Sequence, residues 1–243
     1  MKHVPDWLTK QPIAHRGLHD TKLPENSIGA FRAAAENGYA IELDVHLSSD
    51  GQLVVLHDDT AKRMTSSDLK ITESASPKLT NLRLNGTQYH IPLLHEVLDV
   101  VDGRVPLLIE VKTGSRADVI GPIIQRALEG YQGEYAIQSF DPRIVGWFGK
   151  HEPHTLRGQL AYSFNNHPTL PAIQKFLLRN MLLNIRTRPD FIAYEIGSLP
   201  CVPVAFWRSV YKLPLLAWTI QTEADLQRAR KLEANVIFEH LRV

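Results

Sequence analysis

Residues 41–45 read Ile-Glu-Leu-Asp-Val, an apolar run that predicts a β-strand although two carboxylates interrupt it. A charge inside a buried strand is costly unless it is paired or bound to a metal ion. Successive side chains of a strand point to opposite faces, so Glu42 and Asp44 share one face. The stretch therefore predicts a buried strand and a site that uses both carboxylates.

Three further strand-like runs carry polar residues in the same way. They read Ile13-Ala14-His15-Arg16-Gly17, Val54-Val55-Leu56-His57-Asp58 and Leu108-Ile109-Glu110-Val111-Lys112. Glu110 and Lys112 again lie two residues apart, so they share one face of their strand. Because each of these groups would be costly in an ordinary core, we expect them to meet in one shared site.

The residue types in this set indicate a metal-dependent site. Three carboxylates with no cysteine nearby favour a hard divalent cation, Mg²⁺ or Ca²⁺, over a soft metal. The candidate ligands are Glu42, Asp44 and Glu110. His15 and His57 then remain available for proton transfer near neutral pH.

Strand-like and helix-like patterns alternate along the rest of the chain. The predicted strands are 12–15, 40–45, 53–57, 106–111, 135–140, 157–162, 191–194, 213–220 and 236–239. The predicted helices include 95–101, 117–128, 142–151, 202–211 and 223–232. Strands that alternate with helices imply parallel strands and right-handed crossovers, so we predict an α/β fold, a TIM (β/α)8 barrel.

Two segments depart from this rhythm. Residues 47–52 fit a hairpin that extends the second strand, with Ser49-Asp50-Gly51 as its turn. Residues 60–90 are polar and show neither a helical nor a strand period, so we interpret them as an insertion on the catalytic face of the barrel. We predict a single domain that spans residues 1–243. Little chain follows the last strand, so we expect either the N-terminal segment or a partner to cover the exposed end.

Composition excludes several classes of function. A net charge of +1 gives no global reason to expect nucleic-acid binding. The single cysteine, Cys201, excludes an intramolecular disulfide and a cysteine-based zinc site. Residues 1–12 lack the apolar core of a signal peptide, so we expect a cytoplasmic protein. No apolar run reaches the roughly 20 residues that span a bilayer.

One amphipathic segment leaves two interpretations open. Residues 173–185 predict a helix with an apolar side and nearby basic residues. Packing of this helix on the domain is the first interpretation. The alternative is a lid or a peripheral contact with a membrane surface that admits an acyl chain.

The ordered series of motifs resembles the glycerophosphodiester phosphodiesterase family over nearly the whole chain. The matching residues are His15-Arg16-Gly17, Pro24-Glu25-Asn26-Ser27, Glu42-Leu43-Asp44-Val45, Ser49-Asp50-Gly51, His57-Asp58, Pro92-Leu93-Leu94, Glu110-Val111-Lys112, Gln138-Ser139-Phe140 and Trp218-Thr219. The resemblance implies a metal-dependent TIM barrel. It also implies hydrolysis of a small-molecule glycerophosphodiester to glycerol 3-phosphate and an alcohol.

The resemblance implies roles for single residues. Glu42, Asp44 and Glu110 would hold the divalent cation, His15 and His57 would act as general acid and base, and Arg16 and Lys112 would bind the phosphate. Trp218 is a candidate apolar wall for the alcohol, with core packing as the alternative.

Two neighbouring residues in the first loop have structural or functional interpretations. Glu25 is a candidate for holding Arg16 or a metal-bound water. Asn26 is, with Ser27, a candidate cap of the helix that follows, and direct ligand contact is the alternative for Asn26.

Two other functions stay open. The amphipathic segment favours a lysophospholipase D-like reaction on lysophospholipids. A phosphodiester-binding protein without turnover would not need both histidines. The chain is compatible with a monomer or a homodimer.

Overall fold

Parallel β-strands alternate with helices in the computed structural model, which describes residues 3–165 and 169–243. In these ranges the strands are β1 (Ile13–Ala14), β2 (Ala40–Leu47), β3 (Leu53–Val55), β4 (Leu107–Val111), β5 (Tyr135–Ser139), β6 (Leu156–Ala161), β7 (Phe191–Glu195), β8 (Leu215–Ile220) and β9 (Asn235–Phe238). The α-helices are α1 (Asp6–Lys10), α2 (Ile28–Glu36), α3 (Lys62–Thr65), α4 (Ser76–Thr80), α5 (Leu94–Val101), α6 (Ala117–Leu128), α7 (Pro142–His151), α8 (Ala172–Arg179), α9 (Asn184–Thr187), α10 (Val202–Tyr211) and α11 (Glu223–Lys231). Short 3-10 helices cover Ile71–Glu73, Leu84–Gly86 and Ile196–Ser198.

The chain divides into two compact units. The first unit comprises residues 13–135, and the second comprises residues 3–12 and 136–243 among those described. In the first unit, β2 lies between β1 and β4 and is parallel to both. All eight residues of β2 are buried, as expected for a parallel strand that is covered on both faces.

The second unit contains consecutive parallel strands. β5 through β9 pair in chain order. The short helix α1 contacts β9, where the Asn235 side-chain amide donates to the carbonyls of Leu8, at 3.0 Å, and Gln11, at 2.8 Å. Trp7 and Leu8 are buried. The N-terminal segment therefore covers the last strand, which is one of the two arrangements expected.

Eight parallel strands alternate with helices in the described residues, which confirms the predicted TIM (β/α)8 class. The ninth strand, β3, is antiparallel to β2. The Gly51 N–H donates to the Ser48 carbonyl at 3.1 Å in the turn between these strands. The hairpin at residues 47–52 is confirmed.

The polar segment at residues 60–90 is ordered by a small apolar core of its own. Its helices α3 and α4 and two 3-10 helices surround the buried side chains of Leu56, Ala61, Met64, Ile71, Leu79, Leu84 and Ile91. Burial of these scattered side chains stabilises the segment even though its sequence lacks a regular period. The position of α3 is consequently fixed beside the end of β3.

The single helix predicted at residues 173–185 is wrong. The structure has two short helices, α8 and α9, because the intervening Met181 is left-handed, with φ of 50°, and is buried. No side chain of α8 is buried, and Phe176 is 51% exposed. The apolar side of α8 therefore does not pack into the core of the described chain.

Among the described residues, every helix is too short or too polar to cross a membrane.

Candidate active site

Three carboxylates from two neighbouring strands lie together in the first unit. Glu42 and Asp44 are on β2 and Glu110 is on β4, with Asp44 opposite Glu110 in the parallel register. All three side chains are buried, and one oxygen of each lies within 4.8 Å of the others. The structure thus brings together the three residues predicted as metal ligands.

Two cations compensate part of this buried negative charge. Lys112 Nζ lies 2.8 Å from Asp44 Oδ1 and 2.6 Å from Glu110 Oε1. Arg16 Nε lies 3.4 Å from Asp44 Oδ2. We call Arg16, Glu42, Asp44, Glu110 and Lys112 the inner cluster. Both residues predicted to bind phosphate therefore contact the predicted metal ligands.

The electrostatics of Asp44 and Lys112 follow from this pairing. Burial alone would raise the pKa of Asp44, but Lys112 and Arg16 hold that pKa far below its ordinary value. Burial alone would lower the pKa of Lys112, but Asp44 and Glu110 raise it above the ordinary value. Both groups are consequently charged at neutral pH.

The pKa of Glu42 is shifted in the opposite direction to that of Asp44. Burial, together with the charges of Asp44 and Glu110, raises its pKa well above the ordinary range, although Arg16 and Lys112 oppose the shift. Glu42 Oε2 accepts a hydrogen bond from the Arg16 backbone N–H at 3.0 Å. Glu42 Oε1 is buried and finds no hydrogen-bond donor in residues 3–165 and 169–243. A buried carboxylate oxygen with no donor, beside two more carboxylates, fits a hard divalent cation.

The turn after β1 holds Arg16 over the carboxylates. Arg16 and Asn26 both have φ of 55°, which is uncommon for residues other than glycine. The Asn26 N–H donates to the Arg16 carbonyl at 2.9 Å. The Asn26 side-chain amide also donates to Asp44 Oδ2 at 2.8 Å and accepts from the Asp44 N–H at 3.3 Å. The expected cap at Asn26-Ser27 is confirmed for Ser27, whose side chain caps α2, and is wrong for Asn26, whose side chain contacts Asp44 instead.

Gly17 allows this turn to approach α2 closely. It has φ of 80°, and a Cβ at this position would lie 2.8 Å from the Ala30 backbone carbonyl carbon. Only glycine fits both the left-handed conformation and the close approach. Gly17 is therefore needed for the position of the turn that carries Arg16.

The two histidines have different carboxylate neighbours and differ in exposure. His15 Nε2 is 4.0 Å from Glu42 Oε2, and its side chain is mostly buried. His57 is more exposed, and its Nδ1 lies 2.6 Å from Asp58 Oδ1. An ionised carboxylate only accepts hydrogen bonds, so Nδ1 of His57 is the donor in this contact.

Asp58 remains ionised because of its cationic neighbour. Burial raises its pKa, but hydrogen bonds from Arg63 and His57 outweigh this effect and lower the pKa to about 2. Arg63 donates from Nε to Asp58 Oδ2 at 2.6 Å and from Nη2 to Glu25 Oε1 at 2.7 Å. Glu25 in turn accepts from Arg16 Nη1 at 2.8 Å. We call Glu25, Asp58 and Arg63 the outer network.

Arg63 is a site residue that sequence reasoning missed. It lies on α3, in the segment without regular period, so no pattern indicated where its side chain would point. The expectation that Glu25 holds Arg16 is confirmed. A buried neighbour, His46, contacts the backbone of His57, with Nε2 3.2 Å from the His57 carbonyl oxygen.

Trp218 lies in the second unit, on β8. Its ring packs edge to face on Phe140, with ring centroids 5.6 Å apart, and Phe140 also contacts Tyr162, at 5.8 Å. Trp218 Nε1 finds no acceptor in the described residues. Trp218 therefore belongs to an aromatic cluster, and its role in binding the alcohol stays a prediction.

Comparison with known proteins shows that one family model matches most of this chain. The model of the glycerophosphoryl diester phosphodiesterase family matches residues 15–240. A glycerophosphodiester phosphodiesterase of Caldanaerobacter subterraneus is 37% identical over 142 residues, which are 55% of this chain and 55% of that protein. Human lysophospholipase D GDPD1 is 36% identical over an alignment of 253 residues, covering 94% of this chain and 72% of the relative.

Solved structures share the fold. A phosphodiesterase from Oleispira antarctica, solved in complex with the product sn-glycerol-3-phosphate, has a TM-score of 0.78 and is 23% identical to this chain. The match covers 95% of this chain and 93% of the other. This likeness agrees with the barrel class described above.

Proposed function

The chain belongs to the glycerophosphoryl diester phosphodiesterase family, and on this premise we propose that it hydrolyses glycerophosphodiesters to glycerol 3-phosphate and an alcohol. The observation that carries the proposal is the inner cluster, where three buried carboxylates lie beside Arg16 and Lys112. A site of this kind attracts a phosphodiester anion together with a divalent cation.

Glu42, Asp44 and Glu110 would hold the cation, which is Mg²⁺ or Ca²⁺ by the preference of these oxygen ligands. When bound, the cation neutralises negative charge on the phosphate oxygens. Lys112 stays charged in its buried position, and Arg16 is fixed by Glu25, so both can bind phosphate oxygens without reorganising.

His15 and His57 would exchange the two protons of the reaction. One imidazole accepts a proton from the nucleophile as the new P–O bond forms. The other donates a proton to the leaving oxygen as the old P–O bond breaks, so an alcohol departs instead of an alkoxide. The nucleophile is either water or a neighbouring hydroxyl of the substrate, which would give a cyclic phosphate that is then hydrolysed.

The experiment uses metal-stripped protein and a panel of glycerophosphodiesters, with Mg²⁺ or Ca²⁺ added separately. We expect release of glycerol 3-phosphate that depends on the metal, and its loss in Glu42→Gln and His57→Gln. Glu36→Gln, an exposed position on α2, is the matched control. Binding of a phosphodiester without product under either metal would contradict the proposal and favour a binding protein.

A second candidate is lysophospholipase D-like cleavage of lysophospholipids. The exposed apolar side chains Ile173 and Phe176 of α8 favour it, as does the similarity to human lysophospholipase D GDPD1. Lysophosphatidylcholine in the same panel tests it. Release of lysophosphatidic acid without glycerol 3-phosphate from the other substrates would move the assignment to lipid cleavage.

A further inference from the structure

A basic cleft lies in the second unit, and none of its residues belongs to the inner cluster or the outer network. It has a volume of about 630 Å³ and is formed by α7, β6 and the segment from α9 onward. Four cations line it, and its lining includes no carboxylate. The cations are Lys150, Arg157, Arg186 and Arg188.

Arg157 is the buried cation of this cleft. Its side chain is 9% exposed. Arg157 Nη1 lies 3.3 Å from Asp190 Oδ2, and Nη2 donates to the Arg188 carbonyl at 2.8 Å. Its Nε finds no acceptor in the described part of the chain. Asp190 therefore offsets part of the positive charge of Arg157.

A second buried polar group lies on the cleft wall. Thr187 Oγ1 is buried and has no hydrogen-bond partner in residues 3–165 and 169–243. A buried hydroxyl and a buried guanidinium N–H are both costly when they are left without partners. Both residues line the same basic cleft, so they are suited to the oxygens of an anion.

The backbone around Arg157 is shaped to accommodate its guanidinium. A Cβ on Gly149 would lie 2.9 Å from Arg157 Nε, so a larger residue would displace the side chain. Arg188 ends α9 in the left-handed conformation, with φ of 47°, and its carbonyl accepts from Arg157. The cleft is thus a site built from the backbone as well as from surface side chains.

We propose that this cleft binds a phosphate group that carries two negative charges, as in inorganic phosphate or a phosphate monoester. Arg157 and Thr187 would donate to the oxygens from inside the cleft, while Arg186 and Arg188 supply charge from its exposed rim. Arginine matches phosphate better than lysine does because its planar donors can contact two oxygens at once. The ligand is free in solution or is the headgroup of a lipid.

The test is calorimetric titration of inorganic phosphate into the metal-stripped full chain. We expect a binding event that R186Q/R188Q weakens at least tenfold and that Thr187→Val also weakens. Arg230→Gln, an exposed arginine on α11 outside the cleft, is the matched control and should leave binding unchanged. Phosphate that binds at the proposed active site should contribute the same heat in all three variants, so it does not affect the comparison between them.

Vesicle sedimentation distinguishes the two sources of phosphate. Phosphatidylcholine vesicles with and without phosphatidic acid are compared for wild type and R186Q/R188Q. Binding that needs both phosphatidic acid and these arginines assigns the cleft to a lipid headgroup, and binding of free phosphate alone assigns it to a soluble ligand. Equal isotherms and equal sedimentation for wild type and R186Q/R188Q would overturn the proposal. Neither readout depends on turnover.

Discussion

The inner cluster and the outer network both contain arginine–carboxylate contacts, but they differ in exposure. In the inner cluster the Lys112 side chain is 11% exposed and Asp44 is fully buried. In the outer network the Arg63 side chain is 46% exposed and Asp58 is 25% exposed, while Glu25 is mostly buried. Water screens the charges of Arg63 and Asp58, whereas each charge of the inner cluster depends on its protein neighbours. Similar contacts in the two regions should therefore differ greatly in their effect on stability and activity.

Lys112→Met should have the largest effect, because it leaves Asp44 and Glu110 buried without their shared cation. We expect the free energy of unfolding of metal-free protein to fall by about 3–5 kcal/mol. We expect kcat/KM to fall by about 10³-fold or more, since the cation that we propose binds phosphate is also lost. Urea denaturation and steady-state kinetics measure the two effects.

Lys78→Met is the matched control, since Lys78 lies on α4 and is exposed. It should change neither quantity. If Lys112→Met were as stable as the control, the inner cluster would behave like a surface ion pair. The expected difference between the inner cluster and the outer network would then be wrong.

Glu42→Gln should separate stability from activity. Glu42 is the inner carboxylate whose pKa is raised by burial and by Asp44 and Glu110, so its charge destabilises the metal-free protein. We expect metal-free Glu42→Gln to be more stable than wild type by about 1 kcal/mol. We also expect kcat/KM to fall by about 10²–10³-fold, because a proposed metal ligand is lost.

Metal addition provides the contrast for this variant. Mg²⁺ or Ca²⁺ should raise the melting temperature of wild type but not that of Glu42→Gln, because binding to the native state stabilises it. If metal-free Glu42→Gln were less stable than wild type, the charge of Glu42 would be stabilised by an interaction that its described contacts do not show.

The sequence predicts the inner cluster well because strand geometry leaves little freedom. A period of two places Glu42 beside Asp44 and Glu110 beside Lys112, and parallel neighbouring strands bring the pairs together. The fold was predictable for a similar reason, since buried strands and amphipathic helices alternate with clear periods.

The outer network depends on tertiary packing, which the hydrophobic periodicity of the sequence does not predict. Arg63 reaches Asp58 because the neighbouring Met64 is buried in the small core of residues 60–90. The break between α8 and α9 was missed for the same reason. The apolar period continues through the left-handed Met181, and only packing shows where the helix ends.

Asp58→Asn should have an intermediate effect on activity. It replaces the carboxylate that orients His57 and fixes the proton on Nδ1. We expect kcat to fall by about 10–100-fold, as for other groups that orient a functional histidine. The free energy of unfolding should change by less than about 1 kcal/mol, because the pair is partly exposed to water. Asp59→Asn, at the adjacent exposed position, is the control, and an equal loss of kcat in it would refute the orienting role.

Arg63→Gln should have a smaller effect, because it removes only the residue that holds Asp58 and Glu25. We expect kcat/KM to fall by less than about tenfold and stability to fall by less than about 1 kcal/mol. Lys62→Gln removes an exposed cation from the same helix and should leave kinetics unchanged. A loss as large as that of Lys112→Met would place Arg63 in direct contact with substrate.

The smallest expected effect is a change in how the free energy of unfolding depends on pH in acidic solution. The pKa of Asp58 is lowered to about 2 from its ordinary 3.8, and Arg63 also lowers the pKa of Glu25. A carboxyl whose pKa is lowered by folding stabilises the protein above its unfolded-state pKa, and this contribution is lost as pH falls through the folded-state value. The stability difference between wild type and Arg63→Gln should therefore shrink as pH falls from about 5 to about 2. Urea denaturation across this range measures it, and a difference independent of pH would mean that Arg63 stabilises the protein through packing and not through its charge.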